Sequence, residues 1–67
     1  HVNNAQFISL AIECLPQDFS VHRMRAEYKQ QAHLGDILRP RRAEMENGCF
    51  VSLNDEKGQS YVVVEFQ

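Results

Sequence analysis

Tryptophan is absent from these 67 residues, and cysteine, proline and glycine are scarce, with two, two and three copies. Two cysteines form at most one disulfide, which excludes a small scaffold held together by a disulfide framework. No apolar run approaches the roughly 18 residues that a membrane-spanning helix needs, and no signal-peptide pattern is present. The sequence therefore predicts a protein without a membrane partner, located in the cytoplasm, or in the plastid if the source is a plant.

The chain is also short for an independent domain. A domain of about 60 residues buries only about 60% of the surface that its unfolded chain exposes, so its core needs a staple, a metal or a partner surface. The chain opens on His1 rather than on methionine. Together these features predict that the chain is a piece of a larger protein, while its 43% apolar and 24% charged residues are typical of a globular chain.

Charge is unevenly distributed along the sequence. Residues 22–42 hold six of the seven Lys and Arg residues and two of the nine Asp and Glu residues, so this segment carries +4 and the remainder −6. A basic segment in an acidic chain can guide an acidic partner; the alternative is that the cations only solvate the outer face of a strand. The candidate partner-binding cations are Arg23, Arg25, Lys29, Arg39, Arg41 and Arg42.

The first part of the chain predicts one helix over about residues 3–15. Asn3 and Gln6 have the spacing of a capping box, and Pro16 ends the pattern because the residue before a proline is driven out of the α region. Polar residues form only one narrow stripe on this helix. A helix that is apolar over most of its circumference is expected to be buried under other structure.

The apolar pattern then changes to a period of two, which predicts antiparallel strands. The expected strands cover about residues 20–34, 37–45, 49–53 and 60–66. Pro40 lacks an N–H and places the second strand at an edge or bulge, while Gly35-Asp36 and Asn47-Gly48 are turn signals. The pattern predicts three successive hairpins in an α+β fold, with one buried helix wrapped by an antiparallel sheet and the first strand of that sheet missing from the chain.

Metal and nucleic-acid sites have little support. The histidines and cysteines lack a paired ligand spacing, and Cys14 and Cys49 are interpreted as small core residues. An isoelectric point of about 5.8 and a single aromatic residue among the cations, Tyr28, argue against nucleic acid as a partner. No cofactor and no metal are expected.

A possible catalytic centre is the stretch His1-Val2-Asn3-Asn4, directly before the helix. The N-terminus of a helix offers N–H groups and a partial positive charge that suit a polarised carbonyl, and a histidine beside it can donate to that oxygen or position water. The alternative is that the two asparagines only cap the helix.

The same stretch, followed by an apolar helix ending at Leu15-Pro16, resembles the second hotdog domain of acyl-acyl carrier protein thioesterases. The sequence of residues 25–32, followed by Leu34-Gly35-Asp36, is similar to the next element of that family. The likeness extends from His1 to about Leu38.

The resemblance implies a hotdog fold and an enzyme of fatty acid biosynthesis that hydrolyses the thioester between a fatty acyl chain and acyl carrier protein. It also implies a second hotdog domain, in tandem or as a homodimer. The family's catalytic histidine maps onto His1, and a later acidic residue followed by cysteine falls on Gln31 and Ala32, neither of which matches. Glutamine can hold a water but cannot take its proton at neutral pH. The candidate catalytic residues are His1, Asn3 and Gln31.

Two other functions remain open. The mismatch at Gln31 and Ala32 favours a non-catalytic hotdog half that binds acyl chains or completes a neighbouring domain. A hotdog thioesterase acting on coenzyme A substrates is the other alternative. For the acyl-acyl carrier protein thioesterase, Met24, Ala26 and Tyr28 are candidates for lining the acyl chain, or else ordinary core.

Overall fold

The computed structural model describes residues 2–67. It contains one helix and four strands: α1 (Asn4–Glu13), β1 (Met24–Tyr28), β2 (Arg39–Met45), β3 (Gly48–Asn54) and β4 (Ser60–Phe66). The strands form one antiparallel sheet in the order β1-β4-β3-β2, and α1 packs against β3 and β4. The predicted α+β class is confirmed, and one helix on a four-stranded antiparallel sheet is compatible with a hotdog-like arrangement.

The connections differ from the predicted succession of three hairpins. β2–β3 and β3–β4 are hairpins, but β1 pairs with β4 instead of β2. Gly35-Asp36 therefore lies in the loop of residues 29–38 that carries the chain from one edge of the sheet to the other. Ala32 anchors this loop, because its side chain is fully buried in the core.

The first strand is also shorter than the predicted range of 20–34, and a β-bulge explains where it ends. Asn54 pairs with Ser60 and Leu53 with Val62, which leaves Tyr61 as an extra residue in β4. The Tyr61 carbonyl accepts the N–H groups of Lys29 and Gln30 at 2.7 and 3.4 Å. A bulge disrupts the ladder locally, so the chain leaves the sheet at this point.

The helix is less buried than predicted. Only Phe7 and Ala11 are buried, whereas Leu10 and Ile12 are 38% and 48% exposed. The helix is therefore buried to a smaller extent than expected for one wrapped by the sheet: α1 packs against β3 and β4 on one side, and Leu10 and Ile12 remain exposed on the rest of its surface.

The core lies between α1 and the two central strands. Its buried strand residues are Cys49, Val51, Leu53, Tyr61, Val62, Val64 and Phe66. The ring of Phe7 stacks on that of Tyr61, with centroids 6.1 Å apart. Gly48 begins β3 where only a glycine fits, since a Cβ there would lie 2.5 Å from the Phe66 carbonyl oxygen.

Candidate functional site

The start of α1 has the predicted capping box. The Asn3 Oδ1 atom accepts the N–H of Gln6 at 2.9 Å, and Gln6 Oε1 accepts the N–H of Asn3 at 2.9 Å. The reciprocal bonds fix the direction in which the chain enters the helix. Because the side-chain oxygen of Asn3 accepts a backbone N–H, Asn3 would affect a ligand indirectly, by fixing the position of the start of α1.

The segment entering the helix lies against the loop that follows β1. The N–H of Val2 donates to the carbonyl oxygen of Ala32 at 3.0 Å. Val2 and Ala32 are the chain neighbours of Asn3 and Gln31, so the fold brings these two candidate residues to the same end of α1. Gln31 is exposed in the loop. His1 lies outside the described residues.

An apolar depression begins at this end of the helix. It has a volume of about 400 Å³ and extends along the exposed side of the first turns of α1, lined by Asn3, Ala5, Gln6, Ser9 and Leu10. The depression is the part of the described surface near Asn3 that suits an apolar ligand. The residues expected to line an acyl chain lie elsewhere, on β1, where Met24 and Tyr28 are 47% and 45% exposed.

A larger cleft of about 490 Å³ lies between the loop of residues 29–38 and the β3–β4 turn, and its wall carries Asp36, Asp55 and Glu56. Asp55 Oδ1 accepts the N–H groups of Lys57 and Gln59, each at 2.9 Å. The hydrogen bond from Gln59, more than any other contact, holds the pKa of Asp55 below its usual value. This carboxylate therefore stabilises the β3–β4 turn.

Tyr61 connects that cleft to the core. Its hydroxyl lies 3.5 Å from Asp36 Oδ2, which also accepts the N–H of His33 at 2.8 Å. Burial raises the pKa of the Tyr61 phenol, and the charges of Asp36 and Asp55 raise it further, so the group is protonated at neutral pH. This cluster was not predicted from the sequence, where its signal is that Asp36 and Asp55 each stand in a glycine-containing turn. Within residues 2–67, no three His, Cys, Asp or Glu side chains converge to hold a metal ion.

The cysteines fit their interpretation as core residues. Cys49 is 1% exposed, and burial is the main reason why the pKa of its thiol lies above the ordinary value. Cys14 is half-buried, and its Sγ donates to the Leu10 carbonyl oxygen at 3.3 Å. A buried thiol with a raised pKa is a poor nucleophile, so Cys49 is unsuited to nucleophilic catalysis at neutral pH.

The six candidate partner-binding cations lie at two opposite edges of the sheet. Arg23, Arg25 and Lys29 are in or beside β1, and the three arginines of residues 39–42 are in β2. The edges are three strand spacings apart, about 14 Å. The cations therefore form two groups rather than one continuous patch.

The arginines of β2 also differ from one another. Arg39 and Arg41 pair with Asn54 and Ser52 on the face away from α1, whereas Arg42 pairs with Val51 on the helix side. Arg42 Nη1 donates to the Cys14 carbonyl oxygen at 2.9 Å, and its Nη2 lies 3.6 Å from Glu44 Oε2. A cation at the C-terminal end of a helix stabilises its last carbonyl groups.

Comparison of the chain with models of protein families, with curated proteins and with solved structures finds no match. In the part of the chain that the structure describes, no helix is both long and apolar enough to cross a membrane.

Proposed function

We propose that this chain is a hotdog domain of a thioesterase that hydrolyses fatty acyl-acyl carrier protein thioesters. The observation that carries the proposal is the 3.0 Å hydrogen bond from Val2 to Ala32. It places the start of α1 beside the loop that contains Gln31, which is the pairing of segments that the resemblance requires. The apolar depression that begins at Asn3 supplies a surface for the acyl chain.

In this proposal a water molecule attacks the thioester carbonyl carbon directly. The bond between the water oxygen and the carbonyl carbon forms, the C–S bond breaks, and a proton of the water passes to the departing thiolate, so the products are a fatty acid and the carrier's free thiol. His1 orients the water or the thioester, and the N-terminus of α1 polarises the carbonyl oxygen. Asn3 positions that N-terminus, and Gln31 holds the water by hydrogen bonding.

The proposal is tested by release of thiol from a fatty acyl-carrier thioester. We expect His1→Ala to lower kcat about tenfold, because a residue that orients a reactant through one hydrogen bond contributes about that factor. His22→Ala is the matched control, since His22 lies in the exposed segment before β1. A His1→Ala variant with the full rate would contradict the role of His1.

The proposal also assigns the acidic carrier protein to the outer face of β2. We expect the double variant Arg39→Glu and Arg41→Glu to raise the KM for the carrier substrate about fivefold at low salt and to flatten its dependence on salt. Arg42 is left intact because it binds the end of α1. Lys57→Glu, in the β3–β4 turn, is the control; it reverses one charge where the double variant reverses two, so an effect about half as large would indicate a response to net charge alone.

A non-catalytic acyl-binding domain is the second candidate. It is favoured by Gln31, an exposed amide at the position where the family has an acid. Binding of a fatty acyl chain without thiol release would support it. A rate that is equal for acyl-coenzyme A and acyl-carrier substrates would favour the coenzyme A thioesterase.

A further inference from the structure

The two cysteines are distant in the sequence but belong to the same part of the core. Cys49 is a member of the buried core cluster, and Cys14 is one of the partly buried residues that pack against that cluster. Cys14 is the C-cap of α1, and its carbonyl oxygen accepts a hydrogen bond from Arg42 Nη1 at 2.9 Å. The end of the helix is therefore held over the sheet by a side chain of β2.

Arg42 also connects Cys14 to Cys49. Its Nη2 atom lies 3.6 Å from Glu44 Oε2, and Glu44 is directly opposite Cys49 in the pairing of β2 with β3. Residues directly opposite each other in antiparallel strands direct their side chains to the same face, with Cβ atoms about 5 Å apart. The guanidinium group thus lies between the end of α1 and the Glu44–Cys49 pair, so the two cysteines are grouped around one side chain.

The electrostatic surroundings of Cys49 agree with this placement. Burial is the main reason why the pKa of its thiol is raised; the charge of Arg42 lowers that pKa, and the charges of Glu44 and Cys14 raise it. An ionised Cys14 therefore acts on Cys49 across the space between α1 and β3. Both thiols are free. Two free thiols that share the same charged neighbours are suited to forming a disulfide with each other.

The attachment of α1 to the sheet is weak enough for such a bond to matter. Only Phe7 and Ala11 of the helix are buried, and both lie before its last residue, Glu13. A bond between Cys14 and Cys49 would close a long loop of the chain, and disulfides stabilise a fold mainly by restricting such loops in the unfolded state. Small domains depend on such covalent links more than large ones do.

We propose that Cys14 and Cys49 form a reversible disulfide, which fastens the C-terminal end of α1 to β3 in the presence of hydrogen peroxide and is opened again by a small thiol such as glutathione. A disulfide needs Cα atoms about 4–7 Å apart, and a helix adjusts more readily at its end than in its middle, so the cap position of Cys14 favours closure. The inference does not rest on the proposed thioesterase activity, because its test measures thiols and stability.

The more accessible thiol reacts first. Cys14 is half-buried and Cys49 is 1% exposed, so the peroxide meets Cys14. The Cys14 sulfur attacks one peroxide oxygen and the O–O bond breaks, which gives a sulfenic acid and one water. The Cys49 sulfur then attacks the Cys14 sulfur; the S–S bond forms, the S–O bond breaks, and the hydroxyl leaves with the proton of the Cys49 thiol as a second water. In the reverse direction, two glutathione thiols are oxidised to glutathione disulfide as both cysteines are reduced.

The test compares the chain before and after treatment with hydrogen peroxide. We expect the treated chain to lose about 2 Da, the mass of two hydrogen atoms, and to yield a proteolytic peptide in which Cys14 is joined to Cys49. Its Tm should rise by about 15 °C, because the link closes a long loop in a small domain, and dithiothreitol should reverse the rise. Cys14→Ser is the matched control: it keeps the buried Cys49, and peroxide should leave its Tm unchanged.

The role of Arg42 in positioning Cys14 has a separate test. In a glutathione redox buffer, the equilibrium ratio of disulfide to dithiol measures how well the fold brings the two thiols together. We expect Arg42→Ala to lower this ratio about fivefold, because it removes a charged hydrogen bond that holds the end of α1. Arg41→Ala, on the face of β2 away from α1, is the control and should leave the ratio unchanged. Equal ratios in the two variants would contradict the grouping of the thiols around Arg42.

Three results of the peroxide treatment would overturn the inference. One is a chain in which Cys14 is oxidised to a sulfinic acid while Cys49 remains a thiol. Another is a disulfide that joins only cysteines of different copies. The third is a disulfide between Cys14 and Cys49 that lowers the Tm, which would mean that the bond forms only when the fold is distorted.

Discussion

Phe7→Ala is expected to lower the free energy of unfolding by about 3–5 kcal/mol, the range for removing a buried phenylalanine ring. Phe7 is 2% exposed and is one of two buried residues in α1. Its ring stacks on Tyr61 at 6.1 Å, which attaches the helix to the bulge in β4. A small core rarely supplies more than about 3–5 kcal/mol of stability, so the variant loses most of its folded population at 25 °C. Far-UV circular dichroism during urea unfolding measures the effect.

Ile12→Ala is the matched control on the same helix. Ile12 is 48% exposed, so we expect its truncation to cost less than about 1 kcal/mol. If the two variants lost equal amounts of unfolding free energy, the side of α1 that carries Ile12 would also have to be buried. That result would support the helix wrapped by the sheet that the sequence predicts.

The difference between Phe7 and Ile12 shows which features of the helix could be predicted from the sequence and which could not. Asn3 and Gln6 predicted the start of α1 because a capping box is local, and the structure contains both of its hydrogen bonds. The extent of burial is not local. The apolar residues Phe7 and Ile12 look alike in the sequence, and only the placement of the sheet decides which one is covered.

In the sheet, too, features that depend on neighbouring residues were predicted and those that depend on distant residues were not. The alternation in β1 correctly placed Met24 and Ala26 on one face, since side chains alternate along any strand. The pairing of β1 with β4 was not predicted, because the partner lies about 40 residues away and nothing within β1 specifies it. The bulge at Tyr61 then ends β1 early and leaves Gln31 in a loop.

The candidate site was predicted only where it depends on neighbours in sequence. The sequence identified Asn3 and the helix start, whereas the contact between Val2 and Ala32 depends on the loop of residues 29–38 folding back against the helix. The acidic cleft around Asp36 and Asp55 was missed for the same reason. Its two carboxylates are distant in the sequence and come together only when the sheet forms.

Gln31→Glu is expected to raise the rate of acyl-carrier thioester hydrolysis about 100-fold at pH 7, because a carboxylate takes a proton from the attacking water and an amide does not. Gln31 is exposed and adjoins Ala32, whose carbonyl oxygen accepts the N–H of Val2 at 3.0 Å. The substitution therefore places a base beside the segment that leads into α1. Initial rates of thiol release from a fatty acyl-carrier thioester, measured at saturating substrate, test the change in kcat.

The pH profile distinguishes a new base from a change in binding. In Gln31→Glu the rate should fall as the pH drops through the pKa of the added carboxyl, about 4.3 for an exposed glutamate, while the original chain shows no ionisation from this position. Gln17→Glu adds the same charge in the exposed segment after Pro16 and should leave rate and profile unchanged. A Gln31→Glu variant that binds the acyl substrate but hydrolyses it no faster would remove Gln31 from the reaction and favour the non-catalytic acyl-binding domain.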